Sequence, residues 1–189
     1  MVIATTGTVT ITAAAVFGSG AANADTPVDR TFDVSCTDPK LAGTITATVT
    51  GDLPASVPAG AEFNGLTFEY TAVFGPELAK AIRARGGSSA VGLFGTQIHT
   101  KDSAGSFKVS ADVDARSPSV PLPPTDIPMS FQGSGIFPLR APNTPGPATV
   151  VLASAGVIRA LLDTQVNIAS PCSFRSSGAD RILGGFTVQ

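Results

Sequence analysis

The chain is poor in the residues that chemistry and membranes need. Its 189 residues include one His, no Trp, one Tyr, two Cys and two Met. A lone His99 cannot build a zinc site, which takes three or four ligands. Nucleophilic catalysis needs a nucleophile, a base and an orienting group. The Gly133-Ser134-Gly135 run lacks the spacing of a serine-hydrolase elbow. No catalytic residue, metal ligand or cofactor site is therefore assigned, and the chain is not read as an enzyme. Charge is scarce as well: 14% of residues are Asp, Glu, Lys or Arg, and the net charge is −2. With no excess of cations to neutralise phosphates, nucleic acid is excluded as a partner. No apolar run reaches the ~20 residues of a membrane-spanning helix, so no transmembrane segment is expected.

What is abundant points to strands and turns. Hydrophobic residues make up 43% of the chain, with 20 Gly, 15 Pro and 11 Phe. That balance is too apolar for disorder and suits a turn-rich β fold of one domain.

Residues 1–24 read as a secretory signal peptide. They carry no charge, Val9 to Phe17 is a modest apolar stretch, and Ala22-Asn23-Ala24 is an A-x-A cleavage site. Cleavage after Ala24 makes Asp25 the first mature residue. The segment lacks the usual basic residue at its start, so either it is atypical or the true start lies upstream. Export gives the cysteines a role. In an oxidising compartment Cys36 and Cys172, near opposite ends of the mature chain, pair as a disulfide. The competing reading, a thiol nucleophile with His99, has no visible orienting partner.

The mature chain divides into a polar lead, 25–30, and a single domain, 31–189. Phe32, Val34 and Cys36 alternate with polar residues as a first strand. Over Leu41 to Leu53 the odd positions are apolar (Ile45, Ala47, Val49) and the even ones nearly all Thr, the pattern of a half-buried strand. Leu66, Phe68, Tyr70, Ala72 and Phe74 form the inward face of the next. Gly75 to Gly86 breaks the pattern: Pro76 suits a first helical turn, Glu77 sits near the positive end of the dipole, and Lys80, Arg83 and Arg85 approach the negative end. One short helix crossing between sheets is expected, with Leu78, Ala81 and Ile82 as its apolar stripe. Strands resume at Ala90–Thr100 and Phe107–Ala115. Ser117 to Pro128 holds five prolines and is expected as an edge or crossover without full ladder pairing. Phe131–Leu139, Ala148–Ala153, Val157–Leu162, Val166–Ile168 and Ile182–Val188 are further strands, with Gly133, Gly135, Gly146 and Gly156 marking bends or bulges. This arrangement predicts an all-β, antiparallel two-sheet sandwich of immunoglobulin-like, Greek-key topology, with a closed β-barrel as the alternative.

Particular motifs carry a resemblance. Phe32-Asp-Val-Ser-Cys36, then Leu41-Ala-Gly43, then Leu53-Pro54-Ala-Ser-Val57-Pro58-Ala-Gly60 is similar to the opening of a domain of unknown function found in secreted actinobacterial proteins. Phe131-Gln-Gly-Ser-Gly135-Ile-Phe-Pro138 resembles that family's Gly/Pro bend, and Asn143 to Val151 its following strand. Pro171-Cys172, Gly178 and Phe186-Thr-Val188 resemble its closing Cys, turn and last strand. Gly86 to Arg116 matches in pattern only. The resemblance implies an exported β-sandwich and no known catalytic residues.

Asp112 and Asp114 share one face of their strand, about 7 Å apart. They suit a solvated surface, and alternatively a glycosidase acid/base pair or a calcium ion. Two function classes stay open. One is a secreted or envelope-associated interaction module that contacts a protein or envelope component through loops or strand edges. The other is a carrier of a small apolar ligand between the sheets, which requires a cavity of about 300 Å3 or more.

Overall fold

Alternation of apolar and short polar residues dictates most of the strands. In β2 (Gly43–Leu53), Ile45, Ala47, Val49 and Leu53 are buried, while the Thr residues between them are at least partly exposed. In β5 (Leu66–Phe74) all five expected inward residues are buried. The computed structural model describes residues 25–41, 43–105, 107–125, 127–164 and 167–189, with the side chains of 107–110 left out. The expected signal segment, with its cleavage residue Ala24, lies outside the described residues; Asp25 is the first of them.

The remaining strands are β1 (Thr26–Cys36), β3 (Ser56–Val57), β4 (Glu62–Phe63), β6 (Ser89–Lys101), β7 (Phe107–Pro121), β8 (Met129–Ile136), β9 (Leu139–Arg140), β10 (Gly146–Leu162), β11 (Asn167–Phe174) and β12 (Ile182–Val188). The expected polar lead is part of β1, paired with β2 from Thr26↔Leu53 to Val34↔Ile45. The order β11-β1-β2-β5-β8-β7-β6-β10 closes on itself through a β10–β11 ladder. The two-sheet sandwich is thus corrected: this is a closed, antiparallel eight-stranded barrel, the stated alternative.

The cause lies in β10. Ala148–Ala153 and Val157–Leu162, expected as two strands, are one strand of 17 residues. Its first half pairs with β12 and its second half with β11. Both halves pair with β6 on the other side, interrupted by a bulge between Leu152 and Gly156. Since β11 also pairs with β1, at Val34 to Cys36, the strand order closes into a barrel.

Up to Pro121 the proline-rich stretch lacks full ladder pairing, as expected, and runs as the edge of a ladder rather than as a crossover. Val91↔Ser119, Ala90↔Val120 and Ser89↔Pro121 continue the β6–β7 ladder. On its other side β7 makes one ladder pair with β8, Arg116↔Ser134. Pro118 and Pro121, which have no N–H to donate, occupy the stretch where that second ladder is missing.

Helix α1 (Pro76–Arg83) starts on Pro76 and ends before Gly86, whose φ of 73° is the left-handed conformation that glycine takes without strain. It buries Leu78, Ala79 and Ile82, with Ala81 partly buried against the same core, so the expected stripe is widened by Ala79. It packs on the helical turn Pro39–Leu41 and on β8, rather than crossing between sheets. Its basic residues are engaged locally. Lys80 pairs with Glu77 at 2.8 Å, Arg83 donates to the Pro123 and Thr125 carbonyls, and Arg85 donates to that of Ala81.

The barrel interior is filled by aromatic rings that meet across its axis. Phe68 of β5 stacks on Phe94 of β6 at 5.5 Å, Phe94 meets Phe174 of β11 at 6.0 Å, and Phe174 meets Phe32 of β1 at 5.8 Å. Such pairs add about 0.5–1.5 kcal/mol each beyond the area they bury. With no Trp in the chain, these Phe residues supply the large packing groups.

Cys36 and Cys172 form a disulfide, as expected, and face each other in the β1–β11 ladder with Cα atoms 4.0 Å apart. The bridge closes a loop spanning 136 residues. Restricting the unfolded chain over such a loop stabilises the fold by typically 2–4 kcal/mol. Reduction should therefore lower the melting temperature by roughly 5–15 °C, read by circular dichroism with and without reductant. An unchanged melting point would show that the bridge contributes nothing to stability.

The register of β2 gives a second prediction. Ile45→Asp places an unpaired charge in the core and should cost about 4 kcal/mol or more, a large part of the roughly 5–15 kcal/mol that holds a domain folded, and so lower the melting temperature steeply. Thr46 points outward opposite Asp33, so Thr46→Lys should stay within about 0.5 kcal/mol of the parent. Equal melting of the two variants would mean that the register is wrong by one residue.

Candidate functional site

An apolar interior forces the polar side chains outward, and the outer wall holds the largest concentration of them. Across β7, β6 and β10 the outward positions align in rows. Asp114 lies beside Gly95, which lies beside Val157; Asp112 lies beside Gln97; His99 lies beside Val151. Between Leu152 and Gly156, β10 spends four steps where β6 spends two, from Ile98 to Thr96. The surplus backbone bows away from β6, and Thr96 closes the gap by donating its hydroxyl to the Ala155 carbonyl at 2.9 Å. At the same point β11 and β12 part company, so the segment 175–181 must span from one to the other.

The result is an outer groove of about 810 Å3. One wall carries Asp112 and Asp114, the other Val157 and Arg159, and Arg181 and Ile182 stand at the end of the spanning segment. Gly95 forms the floor: a Cβ there would sit 3.1 Å from Asp114 Oδ1. Gln97 donates to Asp112 at 2.9 Å. Asp114 and Arg159 are both exposed, and neither has a side-chain partner among the described residues. Arg181 has a buried Nε with no acceptor. The spanning segment is tied by Asp180, whose carboxyl is held below its ordinary range first by the Ser177 hydroxyl and then by the Ser177 amide.

His99 lines the same groove. Burial lowers the pKa of its ring, and the nearby charge of Lys101 pushes in the same direction. It is far from being a partner for a thiol, because both cysteines are consumed in the disulfide. Asp112 and Asp114 do come together in the groove, and both are exposed. No group of three or more potential metal ligands occurs among the described residues. Sequence reasoning singled out Asp112, Asp114 and His99 by type and Gly156 as a bulge marker, and missed Arg159, Arg181 and Gly95.

A second groove, of about 610 Å3, follows the seam between β7 and β8, with Tyr70 beneath it. The Tyr70 hydroxyl lies between two glycines: a Cβ on Gly92 would come within 2.5 Å of it, and one on Gly133 within 2.4 Å of the ring. The hydroxyl is buried beside Ser117 and makes no hydrogen bond of good geometry among the described residues. The nearby Ser117 Oγ already accepts from the Gly92 amide and donates to the Pro118 carbonyl, each at 2.8 Å. Burial pushes the phenol up to about 12, with Ser117 pulling weakly the other way.

The sequence profile of DUF6801, a family of unknown function, matches residues 35–184. The chain belongs to this family. No curated protein and no solved structure matches it. The matched span begins next to the first cysteine and contains every groove residue named above.

Tyr70 supplies a spectroscopic prediction, since it is the sole tyrosine in a chain without tryptophan. Tyrosinate absorbance near 295 nm should be absent at pH 10 and appear around pH 12. A phenol with a raised folded-state pKa contributes stability that is complete below pH 10 and is lost between about 10 and 12. Tyr70→Phe removes a buried hydroxyl that makes no hydrogen bond of good geometry, so the variant should melt at the parent temperature or above it. A loss of more than about 1 kcal/mol would show that the hydroxyl is satisfied after all.

Proposed function

We propose that the protein is an exported, non-catalytic binding module, secreted or held at the cell envelope, whose contact surface is the outer groove at the β10 bulge. The single observation that carries this reading is the distribution of side chains. Rings fill the barrel axis, while the charged and amide groups converge outside, around a glycine floor. Concave sites with an apolar lining and a few converging polar groups are where binding is usually found. The groove lies where one strand changes partners, on a scaffold braced by a disulfide. Export is supported by that bridge, which persists in oxidising compartments, and by the A-x-A site of residues 22–24.

Two facts bear on the membrane. Among the described residues no helix is long and apolar enough to cross one. The barrel also keeps its apolar residues inside and Thr, Asp and Arg outside, the reverse of a lipid-facing barrel wall. The carrier reading finds no support, because the rings of Phe68, Phe94 and Phe174 meet where an internal ligand would sit.

Gly95→Val fills the groove floor from an outward strand position that favours a β-branched residue, and it displaces only the tip of Asp114. Immobilised parent domain should retain specific components of envelope and culture-supernatant fractions that the variant, at equal melting temperature, does not. If both retain the same set, the groove is not the contact surface.

A further inference from the structure

The groove carries Asp112 and Asp114 on one wall and Arg159 on the other, with Lys101 and Arg181 also in its lining, and Asp112 already accepts from Gln97. Asp114 stands on β7 opposite Gly95 of β6, and Arg159 stands on β10 opposite Leu93, two residues further along β6. In a crowded surface such charges ordinarily pair with each other or with neighbours. Here each is without a partner among the described residues, and Arg181 adds a guanidinium whose Nε lacks an acceptor. Two strand spacings separate the walls by about 10 Å. The floor offers no side chain at Gly95, and the flanks are aliphatic: Val151, Val157 and Ile182. Among the described residues no Phe, Tyr or Trp lines the groove, and a single imidazole, His99, does not make an aromatic cage for a quaternary ammonium group.

We propose that the groove binds a short peptide with free ends, its amino terminus on Asp114 and its carboxylate on Arg159 and Arg181. This rests on the groove being the contact surface. Three extended residues span about 10 Å, which matches the separation of the walls. Small aliphatic side chains match the flanks. A carboxylate is the anion that a guanidinium holds in two parallel hydrogen bonds, and Arg159 with Arg181 offers more donors than Asp114 and Asp112 offer acceptors to an ammonium. The charges of such a ligand are complementary to both walls at once, whereas a purely anionic or purely cationic ligand leaves one wall facing a like charge.

Trialanine is the probe, together with its N-acetyl form, its C-terminal amide and the doubly blocked form, each titrated into 15N-labelled mature protein and followed by amide chemical shifts. Trialanine should give saturable shifts confined to the region of Gly95, Asp114 and Val151–Arg159. Blocking either end should weaken binding roughly tenfold, the usual effect of losing one charge-assisted hydrogen bond. Variants then assign the ends. Arg159→Gln should lose the preference for the free carboxylate over the amide and keep the preference for the free amine; Asp114→Asn should do the reverse. Both positions are exposed, so melting temperatures should not move. Equal binding of the blocked and free peptides, or preferences that survive both variants, overturns the inference while leaving the groove as a contact surface for another ligand. Shifts that Gly95→Val leaves intact place the peptide elsewhere and overturn the inference as well. No shift with trialanine overturns it outright, and retention of envelope components by the parent but not by Gly95→Val then keeps the broader reading.

Discussion

The structure turns on one strand that must satisfy two partners. β10 carries β12 along its first half and β11 along its second, while β6 follows both. A single unbroken ladder cannot fork, so the backbone sheds the conflict as a bulge at Leu152–Gly156. Bulges bend a strand and increase its local twist, which is what a sheet needs in order to close on itself. Barrel closure and the outer groove are therefore two consequences of one backbone irregularity. The aromatic contacts across the axis are possible only because closure brings β5, β6, β11 and β1 around a common centre.

How much of this was legible in the sequence depends on the range of the interaction. The faces of β2 and β5 could be read residue by residue, because alternation along a half-buried strand is local: Ile45, Ala47 and Val49 on one side, Thr44, Thr46 and Thr48 on the other. The helix over Pro76–Arg83 was legible for the same reason, since Pro76, Glu77 and the closing glycines are all local signals. The choice between sandwich and barrel was not. It depends on whether the last long strand joins back to β11, and periodicity carries no information about pairing partners. Reading β10 as two strands, broken near Gly156, was a correct reading of an irregularity with the wrong consequence. The polar lead was missed because Thr26 to Arg30 is held by pairing with β2 rather than by its own apolar content. The groove was legible only in fragments. Asp112, Asp114 and His99 stood out by residue type, but Gly95, Arg159 and Arg181 matter through adjacency across three strands.

The two halves of the β6–β7–β8 wall show different solutions to glycine and proline in a barrel. Gly133 and Gly135 allow close approach, since a Cβ at either would meet the backbone of β7 within 2.8 Å. That approach yields one ladder pair, Arg116↔Ser134, before the prolines of β7 withhold their donors. The seam is sealed from inside by the Tyr70 ring rather than by a full ladder. The wall of β6 against β10 is the opposite case: well paired over most of its length, and opened at one place by surplus backbone. The first arrangement buries a polar atom; the second displays charged ones.

The disulfide belongs to the same arrangement as the bulge. Cys172 sits between two neighbours in its sheet, opposite Cys36 on β1 and opposite Gly156 on β10. Gly156 is the residue at which β10 rejoins β6, opposite Thr96, and a Cβ there would meet the Gly95 carbonyl at 2.9 Å and the Phe94 ring at 3.0 Å. One transverse row thus links the covalent bridge, the end of the bulge, the groove floor and the aromatic centre. β11 pairs with β1 over three residues only, Val34 to Cys36 against Phe174 to Cys172, which makes this the shortest ladder of the closing seam. A covalent bond is useful where the ladder is short, and here it also fixes the strand against which the bulge is defined. The geometry of the groove is in this way held by a bridge whose cysteines lie outside its lining.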